Sequence, residues 1–242
     1  MKLSKLIELI KPNNANELTN VVDVEIKDIS YNSKTTKEND IFVCLVGEKT
    51  DGHKYAQMAQ EKGAVAILAQ TMPENISIPV LLVDDTQKSI SDLAGILFDY
   101  PSKKINLIGI TGTNGKTTVT HLVERIFEYN NQECGLIGTL GYKLNYNDTY
   151  KDAKHTTPQA PELQRLMYEI NEKCFDNVVM EVSSHSLVQK RVDYLDFNGA
   201  VLTNITQDHL DFHITMENYF RAKAKLFEDL VTGDFAVINN DD

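Results

Sequence analysis

The sequence predicts an α/β protein in which a small α/β domain precedes a larger domain with a mostly parallel, doubly wound sheet. Apolar runs alternate with helix-like segments along most of the 242 residues, and this alternation is typical of parallel sheets covered by helices. The polar run at 101–104 interrupts the pattern, which then starts again. A chain of this length can hold two modest domains, so we predict one domain at 1–100 and a second at 101–242.

The first domain begins with the segment MKLSKLIELIK, whose apolar residues recur at helical spacing. Lys5 and Glu8 interrupt those apolar residues, which favours a short amphipathic helix over a signal peptide. The remaining pattern predicts strands at 41–47, 64–70 and 80–84 and helices at 53–62 and 86–100.

The second domain repeats the alternation of strands and helices. Its pattern predicts strands at 105–111, 133–139, 177–183, 199–205 and 235–239 and helices at 117–129, 161–171 and 216–230. In an open parallel sheet, ligands bind beyond the carboxyl ends of the strands. The residues that directly follow each strand are therefore the candidates for a functional site.

The segment GITGTNGKTT (109–118) joins a predicted strand to a predicted helix through a glycine-rich turn. Such a turn points backbone N–H groups and the positive end of the helix at one place, which suits a phosphate group. Lys116 can reach the outer phosphates of a nucleotide, and Thr117 can hold Mg²⁺. The common phosphate-loop pattern has glycine five residues before Gly115, where this chain has Ile110. The alternative interpretation, a tight strand-to-helix turn in which the lysine has no role, therefore stays possible.

Two later segments carry polar groups after predicted strands. Glu181 ends one strand, and a carboxylate beside a phosphate loop is a natural Mg²⁺ ligand. Ser183 and His185 follow this strand. They are either a turn residue and a structural histidine or a nucleophile pair, although no G-x-S-x-G motif surrounds them. The segment 203–213 contains aspartates and histidines that suit zinc, a second Mg²⁺ or a contact to a transferred phosphate.

Two further segments are ambiguous when only their residues are considered. Thr156 and Thr157 precede a proline, as in a helix N-terminal cap, and could equally bind an anion. Lys223 and Lys225 lie on the predicted helix 216–230, where most lysines are solvated.

The composition argues against several classes of function. The formal net charge of -11 argues against nucleic acid as the main partner, because phosphate backbones are bound by lysine and arginine. No apolar run is long enough to span a membrane. Cys44, Cys134 and Cys174 lack the spacing of a metal site or a disulfide framework, which fits a reducing cytoplasm. We expect a cytoplasmic monomer.

Taken together, these motifs resemble the Mur ligase family over all 242 residues. The resemblance rests on TGTNGKTT (111–118), HTTP (155–158), EVSSH (181–185) followed by LVQKR, and TNITQDHLDFH (203–213) followed by the AKAKLF helix. In the first domain, NSK (32–34) and the segment 40–68 are similar to the family's domain for the uridine end of the substrate.

The resemblance implies an ATP- and Mg²⁺-dependent ligase of peptidoglycan precursor synthesis. ATP would phosphorylate the terminal carboxylate of UDP-MurNAc-L-Ala-D-Glu, and the amine of L-lysine or meso-diaminopimelate would attack the acyl phosphate. Phosphorylation supplies the leaving group that a carboxylate lacks, and Mg²⁺ and lysine screen the charge that builds up during transfer. Residues 1–100 would bind UDP-MurNAc, and residues 101–242 would bind ATP.

The resemblance also implies roles for individual residues. It assigns the nucleotide contacts to Gly112, Thr113, Asn114, Gly115, Lys116, Thr117 and Thr118. It assigns the contacts to the muramoyl-peptide to His155, Thr156, Thr157, Ser183, Gln189 and Arg191. It assigns the uracil region to Ser33, Glu48, Lys49 and Thr50.

Four residues would carry the chemistry according to the resemblance, namely Lys116, Glu181, His209 and Lys223. Thr117, Glu181, His209 and Lys223 would hold the metal, the last of these as N6-carboxylysine, the carbamate that forms with CO2. Carbamate formation needs a lysine that can lose its proton and hence a partly buried one. Lys225 is expected to be an ordinary lysine.

The chain departs from the family pattern in three places. Asn32-Ser33-Lys34 stands where the family often has Asp-Ser-Arg. Lys34 cannot reproduce the two-pronged contact of arginine. His155 stands where asparagine commonly precedes the threonine pair. The chain ends at residue 242, before the rest of the central domain and the third domain that selects the amino acid. We therefore expect a fragment or a shortened relative with an incomplete nucleotide site and weak or absent turnover on its own.

Three other functions remain open. The first is the family member that adds D-Ala-D-Ala to the tripeptide, although EVSSH and HTTP favour the member that adds the third amino acid. The second is a non-catalytic UDP-sugar-binding relative, which the intact Lys116, Glu181, His209 and Lys223 disfavour. The third is a P-loop ATPase coupled to motion, which would hydrolyse ATP without a muramoyl substrate.

Overall fold

The computed structural model of the chain describes residues 1–47, 50–145, 147–153 and 155–241. It divides into two compact units, Met1–Asp99 and Tyr100–Asp242. Each unit contains its own sheet. Within the described ranges, no helix has both the length and the apolar character needed to cross a bilayer.

The first unit is a four-stranded parallel sheet with helices. Its strands are β1 (Asp28–Ser30), β2 (Asp40–Val43), β3 (Ala66–Ala69) and β4 (Val80–Leu82), in the order β1-β2-β3-β4. All three neighbouring pairs are parallel. Its α-helices are α1 (Leu3–Ile10), α2 (Ala56–Glu61) and α3 (Thr86–Phe98), with 3₁₀ helices at Ala15–Leu18 and Gly52–Tyr55.

The chain leaves β2 earlier than the apolar run at 41–47 predicts. The N–H of Leu45 donates to Val43, and the N–H of Gly52 donates back to Leu45, so the segment turns. A Cβ on Gly52 would lie 2.7 Å from the Leu45 nitrogen, so only glycine fits this turn. The predicted helix at 53–62 consequently begins as the 3₁₀ helix, and its α-helical part starts at Ala56.

The second unit is a six-stranded sheet in the order β10-β9-β5-β8-β6-β7. Its strands are β5 (Asn106–Thr111), β6 (Cys134–Gly138), β7 (Gly141–Lys143), β8 (Asn177–Glu181), β9 (Gly199–Leu202) and β10 (Phe235–Ile238). Its α-helices are α4 (Lys116–Tyr129), α5 (Ala160–Glu172), α6 (Ser184–Val188), α7 (Leu210–His213) and α8 (Met216–Glu228). Only β7 is antiparallel to its neighbour among the described strands, so the predicted fold class is confirmed.

Helices cover both faces of this sheet, because its strands are apolar on both sides. On one face, Ile108, Ile110 and Val179 pack against apolar side chains of α4. On the other face, Leu107 and Met180 belong to a larger cluster with apolar residues of α5 and α8. Alternate residues of β5 and β8 thus point to opposite cores, as strand geometry requires. This doubly wound arrangement fixes the carboxyl ends of β5, β6 and β8 beside one another.

Gly109, in the middle of β5, allows close packing on the second face. A Cβ on Gly109 would lie 2.7 Å from the Phe197 ring and 3.1 Å from Leu226. We therefore expect Gly109→Ala to lower the free energy of unfolding by about 1–3 kcal/mol, since overpacking a dense core is destabilising. Denaturant unfolding measures this change. The double variant with Phe197→Leu should recover part of the loss, and an unchanged midpoint for Gly109→Ala would contradict the described packing.

Candidate functional site

The glycine-rich segment after β5 forms a compact loop that ends at the first residue of α4. Gly112 has φ 144° and Gly115 has φ 81°, conformations that favour glycine. Gly115 occupies the N-cap position of α4 and provides no side-chain cap. The first N–H groups of α4 are therefore directed at the space above the loop, where an anion would be stabilised.

Lys116 folds back over this loop. Its Nζ donates hydrogen bonds to the carbonyl oxygens of Gly112 and Thr113, both at 2.9 Å. Burial lowers the pKa of Lys116, and the negative charges of Glu181 and Asp208 oppose that shift. The amine thus lies within the loop that would receive the phosphates. Thr118, also assigned to the nucleotide, lies exposed in the first turn of α4.

A second loop, Thr203–Thr206 after β9, clamps the glycine-rich loop. The side chain of Asn204 accepts from the N–H of Asn114 at 2.9 Å and donates to the carbonyl of Asn114 at 3.0 Å. The hydroxyl of Thr203 donates to the same carbonyl at 2.6 Å. The side-chain hydroxyl of Thr113 contacts Thr206 on this loop. The glycine-rich loop is therefore shaped by hydrogen bonds as well as by its glycines.

Glu181, at the end of β8, is 1% exposed and lies beside the start of α4. Its Oε2 accepts a hydrogen bond from the Thr117 hydroxyl at 3.0 Å. Thr139, which follows β6, donates to the same carboxylate through its N–H at 2.9 Å and its hydroxyl at 3.0 Å. Carboxylate and hydroxyl oxygens are the hard donors that Mg²⁺ prefers. The donor set therefore fits this metal, and the assignment of Thr117 and Glu181 as its ligands stays a prediction.

The threonine pair packs against the segment after β8. The Thr157 hydroxyl donates to the carbonyl of Glu181 at 2.9 Å and accepts from the N–H of Ser183 at 3.1 Å. Arg191 donates to the carbonyl of Thr157 at 2.9 Å and to the side chain of Gln189 at 3.0 Å. Four of the residues assigned to the muramoyl-peptide thus form one hydrogen-bonded group.

The alternative reading of the threonine pair as a helix cap is wrong. Helix α5 begins at Ala160, its N-cap residue is Gln159, and no side chain caps it. The Thr157 hydroxyl instead satisfies backbone groups of the neighbouring segment 181–183. Of the other two assigned residues nearby, His155 is exposed, and the Thr156 hydroxyl lies 3.2 Å from that of Thr139.

His209 joins a cluster of aromatic rings. Its ring centroid lies 4.8 Å from that of His185, which in turn stacks on Phe212. Its Nε2 lies 3.4 Å from the Asp208 carboxylate. Burial, followed by the positive charges of His209 and Arg191, lowers the pKa of His185. His209 thus contacts His185 and Asp208, whereas the Glu181 carboxylate contacts Thr117 and Thr139.

The proposed serine–histidine nucleophile does not form between Ser183 and His185. The Ser183 hydroxyl instead caps α6 by accepting from the N–H of Ser186 at 3.1 Å. The buried Ser184 contacts His213 at 2.9 Å. Across the described ranges, no three His, Cys, Asp or Glu side chains form a cluster suited to a metal ion.

Lys223 on α8 is 2% exposed and reaches the same loop as Lys116. Its Nζ donates to the carbonyl oxygen of Gly112 at 2.7 Å. Burial, followed by the positive charge of Lys116, lowers the pKa of Lys223 to about 7, whereas Asp208 acts in the opposite direction. Lys225, two residues later, is exposed. The sequence-based contrast between a buried Lys223 and an ordinary Lys225 therefore agrees with the structure.

The depressed pKa of Lys223 predicts a pH dependence of stability. Between the folded value of about 7 and the ordinary value of 10.5, the unfolded chain carries a proton on this amine that the folded chain lacks. The free energy of unfolding therefore rises with pH across this window, and this contribution is lost as the pH falls towards 7. Denaturant unfolding at several pH values measures the slope, which should be shallower in Lys223→Met and unchanged in Lys225→Met. Equal slopes in all three proteins would contradict the shift.

Ser33 and Thr50, two of the four residues assigned to the uracil region, lie in the first unit, with Thr50 in the segment after β2. Ser33 is buried, and its hydroxyl lies 3.3 Å from the Met58 sulfur. Thr50 is exposed, and its carbonyl accepts from the N–H of Gly47. Glu48 and Lys49 lie outside the described residues. His53 connects this region to the end of β3, since its Nε2 accepts from the N–H groups after that strand at 3.1 and 3.3 Å.

Sequence reasoning missed three residues that shape the site. Thr139 contacts the Glu181 carboxylate, Asn204 holds the glycine-rich loop, and the buried Tyr219 contacts the Thr113 hydroxyl at 3.0 Å. Thr139 and Asn204 directly follow predicted strands or lie at their ends, which was the available signal. The position of Tyr219 within a helix offered no comparable signal.

Two family models match the chain. One, described as the Mur ligase middle domain, matches residues 110–242. The other, described as the Mur ligase family, catalytic domain, matches residues 25–93.

Curated relatives are identical to this chain at about two fifths of the aligned residues. The UDP-N-acetylmuramoyl-L-alanyl-D-glutamate–2,6-diaminopimelate ligase of Bacillus licheniformis is 41% identical over 248 residues, covering 100% of this chain and 50% of the relative. The protein of the same name from Listeria monocytogenes is 42% identical, covering 100% and 49% respectively. The chain thus spans about half the length of the curated relatives it matches.

Solved structures have the same fold. A structure of UDP-N-acetylmuramoyl-L-alanyl-D-glutamate–2,6-diaminopimelate ligase has a TM-score of 0.75 and 27% identity, covering 94% of this chain and 47% of that chain. The MurF ligase of Thermotoga maritima, solved with ADP, has a TM-score of 0.63 and 22% identity, covering 89% and 46% respectively. The second likeness concerns the fold alone.

Proposed function

We propose, since this chain belongs to the Mur ligase family, that it provides the substrate- and ATP-binding part of a ligase that lengthens UDP-MurNAc-L-Ala-D-Glu by one amino acid. Residues 1–100 would bind the UDP-MurNAc end, and residues 101–242 would bind ATP and the peptide end. The names of the relatives support 2,6-diaminopimelate as the added amino acid, with L-lysine as the alternative. The protein would act as a monomer in the cytoplasm.

One observation supports this proposal more than any other. The 3.0 Å hydrogen bond from Thr117 to Glu181 joins the start of the phosphate-binding helix to the strand that carries the peptide-binding segment. Behind it, the carbonyl of Glu181 is bonded to Thr157, whose own carbonyl is held by Arg191. A phosphate donor and a carboxylate acceptor would therefore meet at the ends of adjacent strands.

The proposed reaction proceeds through an acyl phosphate. The terminal carboxylate of the peptide attacks the γ-phosphorus of ATP, a new C(O)O–P bond forms, and ADP leaves. The amine of the amino acid then attacks the acyl carbon, the C–O bond breaks, phosphate leaves, and the amine loses a proton. The residues of this chain hold the two anionic reactants together and stabilise the charge on the transferred group.

Each group would have a separate task in this reaction. Lys116 would move from the loop carbonyls to the phosphates, a shift that the flexible lysine side chain permits. Thr117 and Glu181 would hold Mg²⁺, which screens charge on the phosphate oxygens when it is bound. Lys223 would act as its carbamate and, with His209, would complete the metal ligands.

The other assigned residues would bind the substrates. The loop 112–118 would surround the nucleotide phosphates. The muramoyl-peptide would be held by His155, Thr156, Thr157, Ser183, Gln189 and Arg191. The uracil nucleotide would contact Ser33, Glu48, Lys49 and Thr50.

Calorimetric titration with UDP-MurNAc-L-Ala-D-Glu and with the corresponding tripeptide tests this function. We expect the protein to bind the dipeptide compound more tightly than the tripeptide. We expect Arg191→Ala to weaken binding of the dipeptide compound by about 10-fold or more, because the variant loses a buried guanidinium that is hydrogen-bonded to the carbonyl of Thr157. Lys225→Ala is the matched control and should bind as the wild type does.

Other outcomes would point to other functions. Preference for the tripeptide would favour the ligase that adds D-Ala-D-Ala. Rapid ATP hydrolysis that is independent of any muramoyl compound would favour a motor-type ATPase. Binding of a muramoyl compound without any binding of Mg-ATP would favour a non-catalytic relative.

A further inference from the structure

The Glu181 carboxylate is held by two threonines that follow the strands flanking β8, Thr117 in α4 and Thr139 directly after β6. In the sheet, β8 lies between β5 and β6. From the β5 side, Thr117 donates its hydroxyl to Oε2 at 3.0 Å. From the β6 side, Thr139 donates its hydroxyl to the same oxygen at 3.0 Å and its N–H to Oε1 at 2.9 Å. Thr139 is therefore the counterpart of Thr117 on the opposite side of the carboxylate.

The backbone of β6 is shaped for this contact. A Cβ on Gly138 would lie 2.3 Å from Oε1 of Glu181, far inside van der Waals distance. The carboxylate thus lies directly against the last residue of β6, and the next residue, Thr139, supplies two of its donors. This second observation, which is independent of the threonine hydroxyl, indicates that the end of β6 is built around Glu181.

The hydroxyl of Thr139 also connects the carboxylate to the peptide-binding segment. An ionised carboxylate only accepts hydrogen bonds, so Thr139 gives its single hydroxyl proton to Glu181. The hydroxyl of Thr139 also lies 3.2 Å from the hydroxyl of Thr156. A chain of hydrogen bonds runs from Thr156 through Thr139 to Glu181.

We propose that Thr139 is a positioning residue of the metal site, orienting Glu181 for a divalent cation and connecting it to the acceptor segment. This inference rests on the proposed function. A fixed carboxylate binds a small cation more tightly than a freely rotating one, because less side-chain freedom is lost on binding. Removing the hydroxyl should therefore weaken binding of the cation and leave binding of the metal-free nucleotide unchanged.

Mn²⁺ titration followed by electron paramagnetic resonance tests this inference, with the chain saturated by a non-hydrolysable ATP analogue. We expect Thr139→Val to raise the Mn²⁺ dissociation constant by about 10-fold or more, in the range typical of lost supports of metal ligands. Thr139→Ser, which keeps the hydroxyl, should stay within about twofold of the wild type. The wild type, Thr139→Val and Thr139→Ser should bind the ATP analogue equally well in the absence of metal. If Thr139 only stabilised the fold, Thr139→Val would also weaken this metal-free binding.

Two further variants complete the test. Thr36→Val removes a buried hydroxyl that bonds only within the first unit and should not change Mn²⁺ binding. Gly138→Ala, which keeps Thr139 but displaces the carboxylate, should weaken Mn²⁺ binding. This variant replaces Thr139→Val in the test if Thr139→Val does not fold. Wild-type Mn²⁺ affinity in Thr139→Val, or in Gly138→Ala if that variant replaces it, would overturn the inference. So would equal losses in Thr139→Val and Thr139→Ser.

The outcome also separates this inference from the proposed function. If the wild type binds Mn²⁺ and the analogue but no muramoyl-peptide, the proposed substrate is wrong while the role of Thr139 stands. If the dipeptide binds and the Mn²⁺ affinities of wild type and Thr139→Val are equal, only the inference fails. A wild type that binds no Mn²⁺ with the analogue overturns both.

Discussion

Replacing Lys223 by methionine will remove the carbamate that we expect on this chain. In protein equilibrated with ¹³C-labelled bicarbonate, the wild type should give a carbamate carbonyl signal by NMR, and Lys223→Met should give none. The physical reason is that CO2 reacts with the neutral amine, and burial among the loop carbonyls and Lys116 lowers the pKa of Lys223 to about 7. The neutral form is therefore the major one above that pH.

The neighbouring lysine provides the control for this prediction. Lys225→Met should keep the signal, because Lys225 is exposed and lacks the burial that lowers the pKa of Lys223. The signal should also decline as the pH falls below 7, since protonation competes with CO2. A signal that persists in Lys223→Met, or that disappears in Lys225→Met, would assign the modification to another amine. Complete absence of a signal in the wild type would refute the carbamate.

Replacing Lys116 by methionine will weaken nucleotide binding by about 10- to 100-fold, since a hydrogen bond to a charged group contributes about 1.5–3 kcal/mol. In the free protein this lysine bonds to two loop carbonyls, so its charge lies close to the place that the phosphates would occupy. Isothermal titration with Mg-ATP measures the loss. Lys225→Met again serves as the matched control, and an unchanged affinity in Lys116→Met would exclude a phosphate-binding role for the loop.

The same substitution has a second, independent consequence. The charge of Lys116 is one of the causes that lower the pKa of Lys223. Lys116→Met should therefore raise the pKa of Lys223 and move the onset of carbamate formation to higher pH. The two lysines share the Gly112 carbonyl as acceptor, which explains why their electrostatics are coupled.

The sequence predicts the architecture well, because long elements have strong periodic signals. The α/β class, the doubly wound second unit and the family are confirmed. The strands β1 and β7 and the helices α6 and α7 were not predicted, since each spans only three to five residues and so contains too few periods to be recognised. The end of β2 was misjudged because the apolar run continues into a turn that hydrogen bonds define.

The sequence indicates candidate site residues where a residue type alone suggests its chemistry. Lys116, Thr117 and Glu181 were singled out because their positions after strands and their ligand chemistry coincide, and their roles stay predictions. Thr139 and Asn204 lie at the ends of predicted strands, but their partners are 42 and 90 residues away, and strand position alone does not indicate which partners they contact. The place of His209 among aromatic rings is likewise set by tertiary packing of the segment around Phe212, not by its own motif.

The clamp that Asn204 forms on the glycine-rich loop has a consequence for the order of folding. Asn114 and Asn204 are separated by 90 residues, so their contact closes a long chain segment and cannot form during early local collapse. During synthesis, the loop leaves the ribosome well before its clamp is made. The nucleotide loop will therefore reach its final shape late, after β9 has joined the sheet, and its amide protons will become protected from exchange among the last in the unit.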